Sequence, residues 1–273
     1  MPFFLSLLLS FASHAAEEMA VISYLPAAGK VVALTFDACS QRSPSHFDRK
    51  VTDVLLRMKV PATIFVGGLW SREESKHLKF LASRPQFEIG NHTWNHPHLP
   101  RLTEKQIRRE LEATQEEVQK QIGITPRYFR PPFGELDEKT VRMAAQLGLT
   151  TVEYDFPSGD PDLHATKERL VEWVVGRSRP GSIVVMHINE RGWHTAEALP
   201  QIVEQLRARG FELVTVGEMV RRARESSAVK DIASGSARIW LMALFLFFAG
   251  AALFLFARKT RVRKNRKKRK TAR

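Results

Sequence analysis

Val31-Val32-Ala33-Leu34-Thr35-Phe36 runs through apolar and β-favouring residues almost without a break and stops at Asp37. A strand wetted on one face alternates apolar with polar. A continuous run belongs to a strand covered on both faces, as in parallel sheets. The pattern recurs. Ala62-Thr63-Ile64-Phe65-Val66 leads into Gly67-Gly68, residues 86–90 lead into a histidine cluster, and Tyr128-Phe129-Arg130 is halted by Pro131-Pro132. Residues 149–154 reach Asp155, Ser182-Ile183-Val184-Val185-Met186 end at His187, and 211–216 form a last run.

Helical spacing fills the intervals. Phe47, Val51, Val54, Leu55 and Met58 make one stripe over 45–58. Further helices are expected at 72–83, 103–121, 137–147, 165–178, 195–209 and 217–225. Thr103 with Gln106 three residues on is a capping-box pair, and Gly148 sits where a helix ends. Seven strands alternating with about seven helices give the α/β class and a parallel sheet. Periodicity leaves open whether that sheet closes into a barrel.

The 273 residues allow one large domain or two small ones, and 44% hydrophobic content supplies a sizeable core. The formal net charge is +13, but eleven Lys or Arg lie in 258–273 with no acid among them. The remainder carries only +2. The basic character belongs to the tail rather than the body; a nucleic-acid tail is the competing reading of that block, but its place against the apolar run before it disfavours it and no nucleic-acid partner is expected. Ile239 to Ala257 is nineteen residues without a charge, long enough to span a bilayer as a helix, with the basic block as its cytoplasmic flank. Residues 1–16 are apolar and end in small side chains, as a signal peptide does; the missing Lys/Arg near Met1 leaves an uncleaved anchor open. The expected organisation is a signal peptide at 1–16, a folded domain at 17–225, a linker at 226–238, a transmembrane helix at 239–257 and a basic tail at 258–273. That makes a single-pass bacterial membrane protein whose domain faces the periplasm or the exterior. Cys39 is the only cysteine, so the core must hold the fold without an intrachain disulfide.

Sites in parallel α/β folds form at the C-terminal ends of strands. Collected there are Asp37, His92 and His96, Arg130, Asp155 with nearby Asp160, and His187. His92 and His96 are four apart, so one helical turn would put both imidazoles on one side, a spacing that suits zinc and similar divalent ions. His98 reads as a loop residue, and Trp94, Trp193 and His194 as packing or as the wall of a sugar groove.

Thr35-Phe36-Asp37, His92-Thr93-Trp94-Asn95-His96, Arg130-Pro131-Pro132-Phe133-Gly134, Ser158-Gly159-Asp160 and Val185-Met186-His187 fall in the order of the five motifs of polysaccharide deacetylases, carbohydrate esterase family 4. The resemblance covers roughly residues 30–220. It implies a distorted (β/α)7-type barrel of parallel strands, to which the C-terminal transmembrane helix would be appended. It also implies a divalent metal, usually zinc, and removal of acetyl groups from an acetylated polysaccharide. Carried over, Asp37 matches the general base and Arg130 the residue that holds its carboxylate. His92 and His96 match metal ligands, His187 the general acid, and Asp160 the acid that tunes it.

One departure matters. The family has a second aspartate as metal ligand where this chain has Ala38, whose methyl group binds nothing. The third ligand is then water or another side chain, or the Cys39 thiolate, or the site is weak. Gln41 and His46 are lesser candidates. The leading expectation is a metal-dependent glycan deacetylase. Its rivals are a glycan-binding protein with a degenerate site and a deacylase of a lipid-linked sugar. Oligomeric state is not legible.

Overall fold

The structure is a computed structural model, and it describes residues 21–40 and 45–227. Eight strands form one sheet. In chain order they are β1 (Val31–Ala38), β2 (Ala62–Val66), β3 (Phe87–Asn91), β4 (Tyr128–Phe129), β5 (Thr150–Thr151), β6 (Phe156–Pro157), β7 (Ser182–His187) and β8 (Glu212–Leu213). The spatial order is β5-β4-β3-β2-β1-β7-β6, with β8 paired to the start of β1, and every pairing is parallel.

β1 is the centre, as its unbroken apolar run requires: all eight of its residues are buried. β2 flanks Thr35 to Ala38, and β7 flanks Val32 to Asp37 in a register that sets Asp37 beside His187. The expected single strand at 149–154 is two pieces. β5 lies at one edge of the sheet and β6 at the other, so residues 152–155 carry the chain across the seam. Ile22 bridges to Val152, just past the β5 edge, and Tyr24 to Ser182 at the start of β7, next to the β6 edge, which links the two sides of the seam. The sheet is therefore a partly open, distorted barrel. Its seam is closed by bridges because the strands there are only two residues long.

The helices cover the sheet: α1 (Arg49–Arg57), α2 (Gly68–Glu73), α3 (Ser75–Ala82), α4 (Glu104–Ile122), α5 (Glu138–Gln146), α6 (Lys167–Arg177) and α7 (Thr195–Ala208), with a last helix from 216. The helix expected at 72–83 is α2 and α3, which meet at Glu74, a residue outside helical geometry (φ −103°, ψ 34°). The capping box forms: Thr103 accepts from the Gln106 N–H and the Gln106 side chain accepts from the Thr103 N–H. One large core packs the sheet against the helices, and a second packs Phe65, Ile183 and Met219 inside.

The membrane expectation is corrected. Among the described residues no helix is long and apolar enough to cross a bilayer. The longest, α4, spans nineteen residues but buries a single stripe, Ile107, Leu111, Thr114 and Val118, and is otherwise largely charged or polar. The transmembrane helix, membrane partner and single-pass bacterial localisation thus lack the span they need. The leader at 1–16, the apolar run at 239–257 and the tail at 258–273 lie outside the described residues, as do Gln41 and most of the linker.

Candidate active site

Five strand ends meet at one mouth. Asp37, near the end of β1, is buried at 6% exposure. Arg130, just past β4, is fully buried, and its Nη1 donates to Asp37 Oδ1 at 2.9 Å. Its guanidinium lies over the Phe65 ring, 4.1 Å from the centroid. Burial pushes the Asp37 carboxyl up, but Arg130, His92 and His187 together hold it below the usual range, so it stays ionised.

His92 follows β3 and is 1% exposed. Its Nδ1 is 2.8 Å from the Arg130 carbonyl oxygen. A carbonyl only accepts, so Nδ1 carries the hydrogen and Nε2 keeps its lone pair. Nε2 lies 3.6 Å from Asp37 Oδ2. His96 stands beside it with ring centroids 4.9 Å apart. The pairing does not come from a helical turn, as expected, but from a loop with positive φ at Thr93 (66°) and His96 (59°). That loop is pinned: Thr93 N–H donates to Asn91 Oδ1, and Glu110 accepts from the Trp94 and Asn95 N–H groups. Burial lowers both imidazoles, His96 to about 3, so both are neutral and able to donate to a cation.

The third candidate donor beside the two imidazoles is Cys39. Its Sγ and one ring nitrogen each of His92 and His96 lie within 4.8 Å of one another. Cys39 is 3% exposed, and Asn189 Nδ2 donates to its carbonyl at 2.8 Å. Burial pushes the thiol up to about 12, so it is protonated at neutral pH. Two neutral imidazoles and a thiol fit a zinc-type ion.

Facing this group is His187, at the end of β7. Its Nδ1 is 2.8 Å from Asp160 Oδ1, and its backbone N–H donates to Oδ2 at 2.7 Å. Asp160 is fully buried and also accepts from Ser158 and Thr195. Burial works against the charged imidazole, but Asp160 outweighs it and raises His187 above its ordinary value. The cleft between the two groups has a volume of about 300 Å³ and includes Phe133, Tyr154 and Arg191 in its wall.

Other candidates fall elsewhere. Asp155 sits at the opposite end of β7, accepting from Ser182 and paired with Arg179 at 2.6 Å. His98 pairs with Glu135 and stacks on Phe133. His46 is exposed and 3.4 Å from Glu74. Trp94 packs on Gly68 under Arg72, and Trp193 is 54% exposed. Sequence reading passed over Tyr154, Arg191 and Glu153, whose buried carboxyl is pushed up to about 7. Glu153 and Tyr154 lie in the seam crossing that read as plain strand, so no signal marked them.

A family model described as polysaccharide deacetylase matches residues 25–152. Over 197 residues the chain is 30% identical to a peptidoglycan-N-acetylglucosamine deacetylase of Bacillus cereus, covering 71% of this chain and 70% of that protein. It is also 30% identical over 185 residues to the Bacillus subtilis protein YlxY, covering 66% of this chain but only 55% of that protein's length. Among solved structures, a peptidoglycan N-acetylglucosamine deacetylase matches with a TM-score of 0.67 at 28% identity, covering 73% of this chain and 92% of the other. A carbohydrate esterase family 4 pseudoenzyme from Bacillus anthracis matches at 0.63 and 25%, covering 70% and 65%.

Proposed function

The chain belongs to the polysaccharide deacetylase family, and from that premise we propose that it is a metal-dependent hydrolase. It removes N-acetyl groups from a glycan such as peptidoglycan or poly-N-acetylglucosamine; O-acetyl cleavage is the lesser reading. The observation that carries the proposal is the facing pair of groups across one cleft. Ionised Asp37 stands 3.6 Å from a candidate ligand imidazole, and opposite it His187 is raised by Asp160.

His92, His96 and Cys39 would hold the ion, with Cys39 standing in for the acid that Ala38 lacks. A divalent cation held there, zinc the best match to these donors, would supply Lewis-acid chemistry, polarising the amide carbonyl and acidifying the attacking water. Asp37 takes the water proton, and the Arg130 bond keeps its carboxylate aimed and charged. His187, made cationic by Asp160, donates a proton to the nitrogen that leaves, because an unprotonated amine departs poorly.

Acetate release from N-acetylated chitooligosaccharides and from peptidoglycan, with zinc or cobalt added, tests this. Activity lost in a His92→Ala/His96→Ala variant, together with loss of bound metal, supports it. No acetate from any glycan, with bound metal absent from the wild type, overturns it. A catalytically impaired glycan-binding protein is the second reading. Ala38 and the likeness to a pseudoenzyme favour it.

A further inference from the structure

Beyond the acid, base and metal donors, the cleft wall holds a charge that none of those roles uses. Arg191 lines it. Arg130, the other arginine at the mouth, is paired with Asp37. The acids of the cleft are likewise engaged: Asp37 by Arg130, and Asp160 by His187, Ser158 and Thr195. Among the described residues Arg191 has no ion pair or side-chain hydrogen bond, although it is partly buried. Its charge is felt at the metal donors, where it pulls the Cys39 thiol down.

The backbone around Arg191 is built to hold it there. Asn189 is buried and anchored to the Cys39 carbonyl, and Ser45 donates to the Asn189 carbonyl. Glu190 turns the chain with a left-handed φ of 58°. Gly192 lies so close to the Asp160 and Thr195 side chains that a Cβ would meet Thr195 Oγ1 at 2.1 Å. Trp193 N–H donates to the Asp160 carbonyl at 3.1 Å. Both flanks of Arg191 are thus fixed to the catalytic elements. An arginine anchored on both sides, aimed into a cleft and left without an acid, is arranged for an anionic ligand.

We infer that Arg191 is a specificity residue that binds a carboxylate on the sugar whose acetamido group enters the cleft. The preferred substrate is an acidic N-acetylated amino sugar, such as one bearing an ether-linked lactyl group, rather than a neutral one. This rests on the deacetylase reading for the identity of the sugar and only deepens it. The planar guanidinium can take both carboxylate oxygens at once, and a neutral sugar offers it nothing comparable.

The test uses two ligands that differ in charge alone: a glycan-chain disaccharide containing N-acetylmuramic acid, and the same disaccharide with its carboxyl reduced to an alcohol. Binding to the zinc-loaded protein is measured by calorimetry, and acetate release in parallel. Wild type is expected to bind the carboxylate form about tenfold more tightly or better, as a charge-assisted pair in a partly dry site allows. Arg191→Ala should abolish that ratio, Arg191→Lys retain part of it, and Arg191→Glu reverse it. Equal binding of the two ligands by wild type, no binding of the acidic one, or an unchanged ratio in Arg191→Ala overturns the inference. A binding preference without acetate release would leave the anion site standing and sink the deacetylase reading. Equal acetate release from both ligands, with equal binding, would do the opposite.

Discussion

In the proposed mechanism His187 acts only while it carries a proton, so its pairing with Asp160 would set the alkaline side of the reaction. The imidazole is raised above 6.5 in the folded protein. The proton that the proposed general acid needs is therefore present below that raised value and lost as pH climbs through it. Asp160→Asn removes the anion, so the alkaline limb of kcat/KM should move to lower pH by a measurable fraction of a unit or more. The same pairing stabilises the fold fully below pH 6.5 and less as pH rises through the raised value. Asp160→Asn should accordingly cost more stability in acid than in alkali, as paired denaturant titrations would reveal. Cys39 carries a second prediction. If its sulfur completes the donor set, Cys39→Ser should weaken zinc affinity by about tenfold or more, read by competition with a chromogenic chelator. An unchanged affinity would return the third position to water. That Asp37, His92, His96, Arg130, Asp160 and His187 gather at one mouth was legible, since each closes a strand or follows one in a motif. Asp155 misled because sequence shows that a strand ends in an acid but not which end of a neighbouring strand receives it; here that is Ser182, at the far end of β7.

Elements were legible where local chemistry alone defines them. The Thr103–Gln106 reciprocal cap is such a case, and Thr103→Ala should cost about 1 kcal/mol in a chemical melt without touching the cleft. α1 and α5 begin one residue after Asp48 and Asp137, whose side chains accept from Val51 and Thr140 N–H groups. The break between α2 and α3 was not legible. No proline or glycine marks it; Glu74 leaves helical geometry while its carboxylate accepts from His77. The histidine loop failed for a related reason. Spacing by four is common to a helical turn and to a tight loop with left-handed residues, and only Asn91 and Glu110, far apart in sequence, select the loop.

At the scale of the whole molecule, the parallel class followed from unbroken apolar strands, and the closure did not. The seam depends on residues 22–26 lying across strands that β-propensity merges into one, and such contacts leave no periodic trace. Gly181 is the fulcrum. It adopts φ 90°, its N–H donates to Val31, and a Cβ there would meet the Leu25 carbonyl oxygen at 2.2 Å. Gly181→Ala should destabilise the protein by about 2 kcal/mol or more. In hydrogen exchange the loss should concentrate at the amides of 22–25 and 182. Uniform exchange across the sheet would show that the seam is not a separate unit.

Arg130 faces two ways. Its side chain grips Asp37 and its carbonyl grips His92, so one residue is the gauge block that sets how far the carboxylate stands from the imidazole. The spacing between the acid and the ring is thus set through a single backbone position rather than through two independent loops. Lysine at 130 would restore the charge but not the planar fork, and with the fork would go the calibration.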